Sequence, residues 1–278
     1  MHQAAAFPDA RPSRLRRLLE WTLVRIVLAL FSTALAGGIV AQLVSDHTSG
    51  SLHHGWPSLC GGVAALAMYT LYVRLIENRR ASELAIRGSL IELGLGLAGG
   101  AALVALVVAA LALLGVYRFE AINAGVQGLG AAFSQMVFVG VFEELLMRAI
   151  ILRLIERSLG TWLALAISSA LFGLAHLPGS GMGALPFAVA VVAGGFFGAA
   201  YLVTRRLWLC IGLHTAWNFT LGSLFSISVS GREPTAGLIT GSLSGPHWLT
   251  GGSYGLEGSV LTLAVLLAAG TWLLARAA

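Results

Sequence analysis

The chain has 278 residues, 57% of them hydrophobic and only 10% charged, with a formal net charge of +5. A soluble domain carries roughly a quarter charged residues, so a soluble globular protein is excluded, and no long polar block follows residue 20. All seventeen basic residues are arginine, set in short runs beside apolar segments; that pattern is a topology signal and makes no case for nucleic acid.

A bilayer core takes ~20 apolar residues as a helix. In chain order the expected spans are 21–44, 57–76, 89–116, 129–154, 160–177, 184–204, 207–229 and 258–275. The start resembles a signal peptide, with Ala34-Leu35-Ala36 as a cleavage site. An uncleaved first span is expected instead, because the apolar run continues to Val44 and its removal would leave an odd number of spans. The absence of lysine, with abundant alanine and glycine, suggests a GC-rich prokaryotic gene. The expected location is the plasma membrane of a prokaryote.

Arginines alternate between the connections. Arg11, Arg14, Arg16 and Arg17 precede the first span, and Arg74, Arg79, Arg80 and Arg87 surround the second connection. Arg153 and Arg157 follow span four, Arg205 and Arg206 follow span six, and Arg276 closes the chain; the other connections hold Arg118 and Arg232. The positive-inside rule then predicts both termini cytoplasmic. The expected organisation is a cytoplasmic segment 1–20, helices one to three over 21–128, a core of helices four to seven over 129–229, and an extracytoplasmic loop with helix eight over 230–278. Cys60 and Cys210 lie in or beside apolar segments and read as small buried hydrophobes. Gly194 and Gly198 form a small-xxx-small face in span six.

Ionisable groups at membrane depth are expensive and therefore informative. Away from span ends they are Glu143, Glu144 and Arg148 in span four, His176 at the end of span five, and His214 with Asn218 in span seven. Glu92 and Glu257 lie near span ends and read as interfacial. Neighbouring helical residues differ by ~100°, so Glu143 and Glu144 face different ways. Glu144 and Arg148, at i and i+4, can pair along one face, which leaves Glu143 turned toward a cavity or a partner. His214 and Asn218 share a face and together would hold a developing oxyanion. Phe172, one turn before His176, would limit rotation of that ring. Counted at 1.5 Å per residue from the cytoplasmic span ends, Glu143 lies ~16 Å deep, His176 ~24 Å and His214 ~10 Å. That spread leaves open which side a shared cavity faces.

The series Glu143-Glu144-xxx-Arg148, Phe172-xxx-His176 and His214-xxx-Asn218 resembles the EExxxR, FxxxH and HxxxN motifs of the CPBP intramembrane endopeptidases, also called the Abi or CAAX-protease family. The resemblance covers about residues 130–228, including the run "GGFFGAAYLVTRRLWLCIGLHTAWN". It implies an all-α integral membrane protein of about eight helices whose core encloses a polar cavity, and it implies hydrolysis of a peptide bond in a membrane-associated protein or peptide. Carried over by position, Glu143 is the general base, His176 helps place the water, and His214 with Asn218 stabilises the oxyanion. Glu144 and Arg148 brace the site. The family has also been described as metal-dependent, with Glu143, His176 and His214 the candidate zinc ligands here. A metal-free mechanism without a cofactor is preferred, because the motif is not HExxH and Glu144 is engaged by Arg148. Two rival readings are a non-catalytic immunity or binding protein of the same architecture, and a transporter that relays protons or cations through the same residues.

Overall fold

The structure is a computed structural model that describes residues 21–50, 55–233 and 236–277. The expected N-terminal segment 1–20, with its four arginines, lies outside them. The helices are α1 (Thr22–His47), α2 (Trp56–Leu75), α3 (Ser89–Leu113), α4 (Leu129–Glu144), α5 (Arg153–Leu159), α6 (Thr161–Ala175), α7 (Ala184–Thr204), α8 (Trp208–Phe219), the short α9 (His247–Thr250) and α10 (Val260–Ala277). A π-helical stretch, Leu145–Leu152, joins α4 to α5 without a break, and a second, Thr220–Leu224, extends α8. Among the described residues, α1, α2, α3, α7 and α10 are long and apolar enough to cross a membrane, and α6 is a shorter apolar helix. The protein is a multi-pass helical membrane protein. The other two expected spans are the run from α4 through α5 and the run from α8 through its π extension.

Among the described residues the helices are joined by one two-stranded sheet. Tyr117–Ile122 (β1) pairs antiparallel with Ile239–Leu243 (β2), with an irregularity between Phe119 and Ala121. Unpaired strand backbone is excluded from lipid, and here the pairing joins the connection after α3 to the long one before α10.

Packing sorts the helices by depth. Just over half (56%) of the most apolar window of α7 is buried, against 17% for α1, so α7 is central and α1 faces lipid. Glycine permits the closest approaches. A Cβ at Gly96 would lie 2.4 Å from the Leu209 carbonyl oxygen, and one at Gly100 equally close to that of Leu213. The backbones of α3 and α8 therefore touch, an association that small residues allow in membranes. Gly194 and Gly198 do the same for α7 against α6, meeting Ser169, Phe172 and Leu165. Substitution of Gly96 by Ala is expected to lower the thermal midpoint in detergent. The same change at Gly94, where nothing lies within 4 Å, should leave it unchanged or raise it, since alanine favours helix. Equal midpoints would refute the close α3–α8 contact.

The arginine-rich ends of the helices are knitted together. Arg153 grips both oxygens of Glu77 at 2.6 and 2.8 Å, Arg79 pairs with Glu77 at 2.7 Å and with Glu83 at 2.8 Å, and the Tyr69 hydroxyl donates to Glu83. Arg205 reaches Glu156 at 2.7 Å, and Arg206 reaches Glu92 and the Arg87 carbonyl. Glu92 is thus turned onto an arginine, and several arginines read from sequence only as topology markers are structural. Burial alone would push the Glu77 carboxyl up, but hydrogen bonds and charge from Arg153 and Arg79 outweigh it and hold it below its ordinary 4.5. Glu83 is lowered in the same way, by Arg79 and Tyr69 against burial. A depressed carboxylate stabilises the fold above its unfolded pKa and loses that contribution as pH falls through the folded value. The melting midpoint should therefore drop as pH falls below about 4.5. Glu77→Gln should be less stable at neutral pH and show a shallower acid limb; an identical limb would refute the coupling.

Candidate active site

The chemistry-bearing residues converge beside α7. At the end of α4, Glu144 is fully buried and its Oε1 lies 3.1 Å from Arg148 Nη1. Arg148, also fully buried, donates through Nη2 to the Gly194 carbonyl at 2.8 Å. Its guanidinium sits between two rings, 4.9 Å from the centroid of Phe172 and 5.3 Å from that of Phe197. The i, i+4 pairing read from sequence is present, but it is incomplete as a description. The same Glu144 Oε1 also lies 2.7 Å from His214 Nδ1. Glu144 is a bridge between Arg148 and His214, and the second of these partners is not read from helical spacing.

A carboxylate oxygen only accepts, so His214 Nδ1 carries the proton. The other ring nitrogen, Nε2, lies 3.8 Å from Glu143 Oε2, longer than a hydrogen bond. Phe197 stacks flat on His214, with centroids 4.7 Å apart and planes 14° apart. The imidazole therefore has a fixed plane, one engaged nitrogen and one presented nitrogen. Glu143 is 30% exposed at its side chain where Glu144 is closed off, the division that helical phase predicts.

His176 caps the C-terminus of α6, and its Nδ1 bonds the Phe172 carbonyl at 2.8 Å. A carbonyl accepts, so the proton is on Nδ1 and Nε2 is left as an acceptor. Its ring packs at 4.5 Å on that of Phe172. Glu143, His176, His214 and Asn218 all line one cavity of about 870 Å³, with an apolar wall that includes Met136, Phe138, Phe142 and Met147. The residues counted at different depths nevertheless share this cavity: α6 is short, and its end meets the continuous run from α4 into α5 near Glu143, and α8 near His214. The π stretch beginning at Leu145 rephases the helix directly after the two glutamates, and such stretches recur at functional sites.

Three contributors were not assigned to the site from sequence. Phe197 and the Gly194 carbonyl lie within the run leading to the last motif, where an aromatic pair among glycines is the legible signal. The third is Glu257, which is half-buried: it accepts from Trp217 Nε1 at 2.9 Å and from the Ser230 hydroxyl at 3.0 Å. It thus ties the long loop to α8 beside the site, a role that its position near a span end did not announce. Among the described residues, no three His, Cys, Asp or Glu side chains are grouped to hold a metal ion. The bonds above engage Glu144 and the Nδ1 atoms of both histidines and leave Glu143 and the two Nε2 atoms open, and no step below passes through an ion.

Fold and site together define a multi-pass helical membrane protein that buries a carboxylate–histidine cluster on the wall of a cavity. Residues 125–220, about a third of the chain, match the family model described as type II CAAX prenyl endopeptidase, Rce1-like. This is the family that the motif series resembles, and the matched segment holds all three motifs. It points to a protease of the CAAX type acting on a membrane-associated protein. No curated protein and no solved structure matches the chain with significance.

Proposed function

We propose that the protein is an intramembrane endopeptidase that hydrolyses a peptide bond with Glu143 as general base. The observation that carries this reading is His214 clasped by Glu144 at 2.7 Å and facing Glu143 at 3.8 Å, on the wall of a cavity that His176 and Asn218 share. Glu143 takes a proton from water as the water oxygen attacks the scissile carbonyl carbon. The acceptor Nε2 of His176 holds the other water proton and aims the nucleophile. The carbonyl oxygen becomes an oxyanion that accepts from His214 Nε2 and the Asn218 amide. When the C–N bond breaks, Glu143 passes its proton to the leaving nitrogen, giving a carboxyl and an amine.

For Nε2 to donate while Nδ1 is bonded to Glu144, His214 must be an imidazolium. Charge balance supports that state: two carboxylates face one guanidinium and one imidazolium, and the cluster is neutral. Preorganised donors of this kind contribute most where water is excluded.

The test is cleavage of a membrane-anchored reporter by purified protein in proteoliposomes. Asn218→Ala should lower kcat by ~10²–10³-fold, the usual cost of one oxyanion donor, with KM little changed, and chelator should leave the wild-type rate unaltered. Absence of cleavage by the wild type, with substrate-driven proton flux in its place, would favour the transporter reading.

A further inference from the structure

The cavity has a mouth, and the structure assigns it to the arginine-poor end of the helices. We infer that the site opens to the extracytoplasmic face and takes an apolar peptide segment presented from that side; the substrate half of this inference rests on the proteolytic reading above.

Outside the helices, the cavity is lined by residues 178–180 and 229–232. These segments belong to the end that carries the sheet. Gly231 N–H donates to the Tyr254 carbonyl, the Ser228 hydroxyl lies 3.3 Å from the Ser253 carbonyl, and the Ser226 hydroxyl donates to Ile239 of β2. Ser58, in the first turn of α2, and Gln135, in the second turn of α4, line the cavity from the same end. The lining includes no residue of the ion-paired cluster of Glu77, Arg79, Glu83 and Arg153. The motif helices therefore converge at mid-depth but open away from the arginines.

The sidedness of the helix ends follows from their charge. Arg74, Arg79, Arg80, Arg87, Arg153, Arg157, Arg205, Arg206 and Arg276 lie at one end, and Arg118 and Arg232 at the other. Setting aside Arg79, Arg153, Arg157, Arg205 and Arg206, which pair with glutamates, Arg74, Arg80, Arg87 and Arg276 still lie at that end. Short arginine-rich connections stay in the cytoplasm, so the mouth lies outside. At the mouth, glycine and serine predominate and Arg232 is the charged side chain; beside Glu143 the lining includes Met136, Phe138, Phe142 and Met147. That chemistry suits an uncharged, apolar stretch of a secreted or membrane-anchored polypeptide and not a cytoplasmic chain end.

The experiment uses the full chain with Cys60 and Cys210 replaced by alanine. Ser180→Cys places a thiol at the mouth and Ile86→Cys, 81% exposed, one at the arginine-rich end. A membrane-impermeant maleimide should label Ser180→Cys in spheroplasts and Ile86→Cys only in inverted vesicles. The opposite pattern, or labelling of Ser180→Cys from both faces, overturns the assignment. A paired reporter, with one apolar segment presented outside or inside by reversing its anchor, should be cut only outside. Cleavage inside, with labelling as expected, overturns the substrate class alone. If neither is cut, the proteolytic reading and with it the substrate class fail, and the sidedness stands on the labelling.

Discussion

Glu143→Gln is expected to abolish reporter cleavage while leaving the fold intact. The amide keeps the size and most of the polarity of the carboxylate but cannot take a proton from water. General-base assistance contributes typically ~10²–10⁴-fold, and a loss of that size should fall on kcat. The side chain is 30% exposed and its nearest charged neighbour, His214 Nε2, is 3.8 Å away, so little native bonding is removed and the melting midpoint should stay near wild type. The comparison with Glu144→Gln sharpens the point. That residue is fully buried between Arg148 and His214, so its amide should lower the midpoint as well as the rate. If Glu143→Gln cleaves at the wild-type rate, the base is another group and the mechanism falls.

Arg148→Met should destabilise the protein by about 3–5 kcal/mol, because removing one partner of a buried pair strands the other charge. Three things go with the guanidinium: the 3.1 Å pairing to Glu144, the 2.8 Å hydrogen bond to the Gly194 carbonyl, and its seat between Phe172 and Phe197. Adding Glu144→Gln removes the stranded charge, so the double variant should recover much of the lost midpoint. Such non-additivity is the signature of direct coupling. Thermal unfolding in one detergent, across wild type, both single variants and the double, measures it. A midpoint for Arg148→Met at the wild-type value would refute the buried brace.

The membrane class, the approximate spans and the polar residues that matter were legible because they depend on composition and on periodicity along one helix. Glu144 and Arg148 are four residues apart, and so are His214 and Asn218; a 3.6-residue turn puts each pair together without reference to the rest of the chain. The ends of the spans were less legible. The run from α4 into α5 continues to Leu159 through a π stretch, which hydropathy does not register. The pairing of β1 with β2 joins segments more than a hundred residues apart, and nothing local in either announces its partner.

What the sequence by itself determined is that this is a multi-pass helical membrane protein with arginines biased to one side and two glutamates, two histidines and an asparagine on its core helices. The tertiary structure decided which of these touch. His214 meets Glu144 across 70 residues, and Arg148 meets the Gly194 carbonyl across 46. Those meetings depend on backbones that approach closely only because Gly194 and Gly198 leave room on α7, and Gly96 and Gly100 on α3. The end at which the cavity opens is likewise a property of helix ends and loops packed together. A hydropathy profile records how deep a residue lies along its own helix, whereas a cavity is the space left between several.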